Sequence, residues 1–149
     1  MVVALTFPAG HAGDTVAVQF GLSDRDGGPA APPQALGWSY ATERAQHDQP
    51  REVIVDRAVA GLYAARARAA ALESNRAGKY KEARAILEKT ARRIDGYAGE
   101  DAELKAIAEG LRAEAADFGH VMDQKAMKQR YFNSYSITKN RMPDGKARR

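Results

Sequence analysis

Residues 71–87, with the sequence ALESNRAGKYKEARAIL, constrain the fold more than any other stretch of this chain. Gly78 has no Cβ, so it can adopt the positive φ with which many helices end. After it, Tyr80, Ala83 and Leu87 restart an apolar stripe at helical spacing. The stretch therefore predicts two antiparallel helices joined by a turn, which is a packing motif and specifies no reaction.

The apolar residues keep a helical period from Asp56 to the region of Tyr135. Asp56 is expected to be the N-cap of the first helix, and Asp101 lies where a third helix begins. We expect four helices, at about residues 56–77, 80–95, 101–119 and 122–135. Their expected buried residues are Val59, Leu62, Tyr63, Ala70, Leu72, Ala83, Ile86, Leu87, Ala91, Ile94, Leu104, Ile107, Ala108, Leu111, Ala115, Phe118, Met122, Ala126, Gln129 and Phe132.

Before Asp56 the apolar residues alternate with a period of two, which is typical of strands. Pro32 and Pro33 cannot donate to a strand ladder, so the segment that contains them is expected to be a loop. The prediction is an α+β fold: a small antiparallel β-sheet of about four strands, followed by an alanine-rich bundle of about four helices. The expected strands cover about residues 2–7, 15–22, 36–40 and 52–55.

Three segments follow from this pattern. Residues 1–55 are predicted to be the antiparallel β segment and residues 56–138 the helical bundle, while residues 139–149 are predicted to form a basic disordered tail.

The chain has no cysteine, which excludes disulfides and thiolate catalysis and favours a reducing, cytoplasmic location. No apolar run approaches the ~18 residues of a membrane span, so none is expected.

The formal net charge of +4 is unevenly distributed. Residues 1–50 hold two basic and five acidic side chains, whereas residues 120–149 hold eight basic and two acidic ones. A basic segment such as residues 120–149 is either a solvated tail or a contact for nucleic acid or an anionic membrane. The candidate basic-surface contacts are Lys125, Lys128, Arg130, Lys139 and Arg141, continued by Lys146, Arg148 and Arg149.

Tyr131, Phe132 and Tyr135 are interleaved with these basic residues. Their spacing favours anchoring of a terminal helix to a core over stacking with bases. A noncatalytic protein–protein interaction or scaffold module is therefore the favoured function. The alternative is weak, non-specific binding of nucleic acid or an anionic surface through the basic C-terminus.

Candidate catalytic, metal-binding and phosphate-binding motifs are weak or missing in this sequence. His47 and Asp48 are adjacent, but they lie in a polar segment expected to be a solvated turn. Asp24 and Asp26 precede two glycines as in a calcium loop, yet the expected glutamate ligand is missing. Phosphate-binding glycine loops are also missing. We expect no catalytic, cofactor or metal site, and therefore no enzyme; Trp38 and Tyr40 are assigned to core or sheet cover.

The helical hairpin around Gly78 resembles a single tetratricopeptide-type repeat over about 34 residues. No second copy follows at that period, and a peptide groove needs about three stacked repeats. An isolated hairpin is therefore favoured.

Residues 51–59 (REVIVDRAV), 62–67 (LYAARA) and 129–136 (QRYFNSYS), together with the hairpin, support a longer resemblance. They resemble the C-terminal region of bacterial von Willebrand factor A domain proteins, including those described as calcium-activated chloride channel homologues. The resemblance implies a β-rich segment and then helices after a von Willebrand factor A domain. The Asp-x-Ser-x-Ser metal motif of that domain is missing, so its Mg²⁺ site is not expected in this sequence.

Val3, Leu5 and Phe7 would give the first strand an apolar face and an uncovered edge. This edge predicts a homodimer formed by strand pairing, or pairing with the protein's own upstream domain or with another protein. The alternative is that the helices or the 41–50 loop shield it.

Overall fold

The computed structural model describes residues 3–23, 26–28, 31–139 and 141. The chain divides into two compact units, residues 1–51 and residues 52–149. The described part contains a two-stranded antiparallel sheet and five helices, so the α+β class is confirmed and the expectation of four strands is wrong.

The N-terminal unit contains strands β1 (Thr15–Leu22) and β2 (Ala31–Ser39), followed by the short helix α1 (Glu43–His47). Thr15 lies opposite Ser39 and Leu22 opposite Ala31, with an irregularity between Phe20 and Leu22. The expected strand at 15–22 is confirmed.

The second described strand begins earlier than expected and includes Pro32 and Pro33, so their assignment to a loop is wrong. The two prolines lie beside the irregularity in the register, between Ala31 and Gln34. A proline is tolerated at a bulge or on an edge strand because no ladder hydrogen bond is required of it there.

The expected strands at 2–7 and 52–55 are not formed: residues 3–7 have no strand pairing, and Val53–Val55 form the first turn of a helix. Val53, Ile54 and Val55 are 43%, 76% and 54% exposed. β-branched residues favour a strand when neighbouring strands bury their side chains. In the described structure, no strand packs against Val53, Ile54 and Val55 in this way. The Asp56 amide instead bonds the Glu52 carbonyl at 3.0 Å, which makes Glu52 the N-cap. The N-cap assignment of Asp56 is wrong.

The helical unit consists of α2 (Val53–Arg76), α3 (Tyr80–Ala98), α4 (Ala102–Phe118) and α5 (Gln124–Thr138). Helix α2 packs against the other three, and α3 also packs against α4. The helices expected near 80–95 and 101–119 are confirmed. The tetratricopeptide resemblance of the α2–α3 hairpin is not confirmed and stays a prediction.

Gly78 ends α2 as the sequence predicts. Its φ is +74°, its amide bonds the Asn75 carbonyl, and the Lys79 amide bonds the Ser74 carbonyl at 2.9 Å. This pair of bonds is a Schellman motif, which satisfies two carbonyls at the helix end and reverses the chain into α3.

Small side chains form most of the inner face of α2, where Ala60, Ala64, Ala67 and Ala71 are buried. The other buried apolar residues are Ala65, Leu72, Ala83, Leu87, Ala91, Ile94, Ala98, Leu104, Ala108, Leu111, Ala115, Phe118 and Met122. The expected buried face of α2 is confirmed only at Leu72. Val59, Leu62 and Tyr63 are half-buried, and Ala70 is exposed. Because alanines occur on every side of this helix, the sequence does not show clearly which face is buried.

Long-range polar contacts also join the helices. Asn75 is 3% exposed, and its side-chain amide donates to the carbonyls of Phe118 at 2.9 Å and His120. Arg68 on α2 forms a two-pronged ion pair with Glu114 on α4, at 2.7 Å. Because these partners are more than forty residues apart, the contacts fix how α2 meets the end of α4.

Asp101 combines two roles at the start of α4. It accepts a hydrogen bond from the Leu104 amide at 2.9 Å and pairs with Arg57 at 2.7 Å. The Arg57 guanidinium, and then this amide, hold the pKa of the Asp101 carboxyl below its ordinary value. A carboxyl whose pKa is lower in the folded state stabilises the fold at pH values above its unfolded-state pKa. This stabilisation is lost as the pH falls through its folded-state pKa.

We expect Asp101→Asn to lower the urea midpoint at pH 7, because it removes the charge that pairs with Arg57. The difference from the parent should begin to shrink below about pH 4, the ordinary carboxyl pKa, and should vanish as the pH falls through the lower pKa of the folded-state carboxyl. Urea titrations at several pH values measure this. Glu109→Gln, an exposed change on the same helix, is the control; a pH-independent difference for Asp101→Asn would contradict the role of its charge.

Candidate functional site

The N-terminal unit has an uncovered sheet. None of its described residues between 3 and 51 is buried, and every residue of β2 is exposed. Large apolar side chains therefore remain accessible: Val3 (50%), Leu5 (39%), Phe7 (37%), Leu22 (58%), Leu36 (50%) and Trp38 (37%). The described residues of this unit therefore supply no buried core, and a two-stranded sheet alone is marginally stable in water.

An aromatic cleft of about 290 Å³ lies in this unit. Phe7 and Trp38 form one wall, with ring centroids 5.1 Å apart and planes tilted by 52°. Tyr40 lines the cleft as well, together with Val16, Ser39, Ala41, Gln46 and Gln49. The cleft lining carries no formal charge. Trp38 is 37% exposed, so its predicted role in a core is wrong, and its predicted role as cover of the sheet stays a prediction.

Tyr40 is held by close backbone contacts. Its hydroxyl donates to the Pro8 carbonyl at 2.5 Å, and its own amide donates to the Asp14 carbonyl at 2.8 Å. A Cβ on Gly10 would lie 2.7 Å from the Tyr40 ring. Residues 8–10 and Tyr40 therefore pack directly on each other, an arrangement that the Pro-Ala-Gly sequence permits but does not by itself predict.

The outer edge of β1 has none of the usual protection of an edge strand. The strand TVAVQFGL contains no charged residue and no proline, whereas natural edges are commonly blocked by lysine or proline. Strand β2 does contain Pro32 and Pro33. Within the described residues β1 pairs with β2 alone, which leaves its other side open.

The predicted basic contacts are only partly brought together. Lys125, Lys128 and Lys139 are exposed on or beside α5. Arg130 points instead toward α4, where it pairs with Asp117 at 2.7 Å and Glu114 at 3.4 Å and lies 5.0 Å over the Phe118 ring. Two carboxylates therefore compensate its charge, and its predicted role in the basic surface stays a prediction. The Arg141 amide bonds the Ser136 carbonyl; Lys146, Arg148 and Arg149, and most of the predicted tail, lie outside the described residues.

The three aromatic residues of α5 do not anchor it. Tyr131, Phe132 and Tyr135 are 49%, 47% and 43% exposed, so the expected anchoring role is wrong. Ala126 and Met127 pack against the core instead. At about 100° per residue, the three rings fall with the three exposed lysines in an arc of about 120°. We call this set the aromatic–basic face: Lys125, Lys128, Tyr131, Phe132, Tyr135 and Lys139.

The histidines lie in separate surroundings. The His11 amide donates to the Asp14 carboxylate at 2.8 Å in an exposed turn, and His47 ends α1. The His120 carbonyl accepts from Asn75. No cluster of three or more potential metal ligands occurs among the described residues, and Asp24 lies outside them. In the described part of the chain, none of the helices is both long and apolar enough to cross a membrane.

Comparison with protein-family models, with curated proteins and with solved structures finds no match to this chain. The resemblance to the C-terminal region of bacterial von Willebrand factor A domain proteins therefore stays a prediction.

Proposed function

We propose that this chain is a noncatalytic protein–protein interaction module and that its first partner is a second copy of itself. The observation that carries the proposal is the uncovered sheet, in which none of the described residues is buried. Such a unit gains stability when another protein surface covers its apolar side chains or extends its sheet.

The open edge of β1 favours a second copy as the partner. Two β1 strands can pair antiparallel about a two-fold axis, since such an interface uses the same patch on both subunits. Neither β1 nor β2 carries a charge, so the approach of two copies meets no like-charge repulsion at the strands. The first strand expected at 2–7 takes no part in this proposal, because residues 3–7 form no strand.

The predicted resemblance is compatible with an interaction role. The C-terminal region of a larger von Willebrand factor A domain protein would lie beside other domains, and an uncovered sheet could pair with one of them. The absence of cysteine supports a reducing, cytoplasmic location, which is part of this proposal.

Light scattering across a hundredfold concentration range tests the proposal on the whole chain. We expect a monomer at low concentration and a dimer at high concentration, with a melting temperature that rises with concentration. Ala17→Lys with Gln19→Lys should shift the chain to monomer, because both side chains are exposed on β1 and would bring four positive charges together in the dimer.

Ala70→Lys with Ala113→Lys is the matched control, since it adds the same charge at exposed positions of the helical unit. This variant should dimerise like the parent. A parent chain that stays monomeric throughout, or a control variant that loses the dimer equally, would overturn the proposal.

A further inference from the structure

The aromatic–basic face of α5 lies on the helical unit and is chemically unlike the uncharged sheet. Helix α5, QKAMKQRYFNSYSIT, contains no acidic residue. The Asp123 carboxylate next to it is engaged as the N-cap, accepting from the amides of Lys125 and Ala126 at 2.9 Å. The face therefore combines three lysine charges with no carboxylate of its own helix to neutralise them.

The two tyrosines of this face are arranged as parallel rings. The centroids of Tyr131 and Tyr135 are 6.3 Å apart and their planes differ by 18°. This separation is close to twice the ~3.4 Å rise of stacked bases. Exposed aromatic rings stack with any base, because every base has a π-face.

Positive groups border both rings. The Lys139 ammonium lies 6.0 Å from the Tyr135 centroid, and the Arg76 guanidinium lies 5.8 Å from that of Tyr131. Arg76 is paired with Glu73 at 2.7 Å, so its charge is largely compensated. The lysines of the face are therefore the groups that can neutralise phosphates.

We propose that the aromatic–basic face binds single-stranded nucleic acid without sequence preference, with bases stacked on Tyr131 and Tyr135 and phosphates held by the lysines. From Lys125 to Lys139 the helix rises about 21 Å, which matches roughly six stacked nucleotides. An acidic protein would satisfy the lysines but would not require flat, parallel rings. This inference does not depend on the dimer, because it uses another surface.

Fluorescence anisotropy of the whole chain with a labelled oligothymidylate of about twelve nucleotides tests the inference. We expect weak binding that falls with salt, and no preference for oligothymidylate over oligoadenylate. A duplex of the same length should bind less tightly, because its bases are already stacked on each other.

Substitutions separate the contribution of stacking on the tyrosine rings from that of the lysine charges. Tyr135→Ala should weaken binding by about 5- to 150-fold with little change in the salt slope, whereas Tyr135→Phe should bind like the parent. Lys128→Gln should reduce the slope of log K against log salt by about 0.7. Lys89→Gln removes an exposed lysine of α3 and should leave both quantities unchanged; circular dichroism checks that each variant is folded.

Three results would overturn the inference. The first is binding that Tyr135→Ala leaves unchanged, and the second is a duplex bound as tightly as the single strand. The third is poly-L-glutamate bound as tightly as oligothymidylate at equal salt, which would assign the face to an acidic protein.

Discussion

Phe118→Ala is expected to lower the free energy of unfolding by roughly 3–5 kcal/mol, the usual range for a buried phenylalanine. Phe118 is fully buried at the end of α4 and has the largest side chain among the fully buried residues of the described chain. The substitution also removes the ring over which Arg130 lies at 5.0 Å. Urea unfolding monitored by circular dichroism measures the change.

Phe132→Ala is the matched control for this prediction, because Phe132 is 47% exposed on α5. It should change the free energy of unfolding by less than about 1 kcal/mol, since surface substitutions usually have small effects. Equal losses for Phe118→Ala and Phe132→Ala would mean that the core of the helical unit is wrongly placed.

Asn75→Leu is expected to destabilise the helical unit by about 1–3 kcal/mol. Leucine has the same number and branching of side-chain non-hydrogen atoms as asparagine, but it leaves the carbonyls of Phe118 and His120 without the amide that now donates to both. Because Asn75 is 3% exposed, water does not readily replace that donor. Urea midpoints measure the loss.

Asn133→Leu makes the same substitution at an exposed position of α5 and should be nearly neutral. If Asn75→Leu were as stable as the parent, the buried amide would not hold α2 to the end of α4.

Local chemistry predicted the helical unit well where a residue type has one strong structural use. Gly78 ends α2 with positive φ, and α4 begins next to Asp101, both as the sequence predicts. The hydrogen bond from the Leu104 amide to the Asp101 carboxylate is a finding of the structure. The start of α2 was missed because β-branched residues at 53–55 favour a strand only when neighbouring strands bury them. That condition depends on tertiary structure.

The candidate surfaces were harder to predict because exposure is not a local property. The spacing of Tyr131, Phe132 and Tyr135 suits either an anchor or an exposed stripe, and only the packing of Ala126 and Met127 against the core decides between them. Arg130 was grouped with the lysines, but its partners Glu114 and Asp117 are thirteen or more residues away in the sequence. Charge patterning along the chain does not reveal such pairs.

Hydrogen exchange of the β1 amides at two protein concentrations tests the interaction role of the sheet most directly. We expect protection of Thr15–Leu22 to rise with concentration while that of α3, Tyr80–Ala98, stays constant, because pairing of two β1 strands protects outer-edge amides. Protection of β1 that is the same at both concentrations, in a chain that light scattering shows to be monomeric at both, would contradict it.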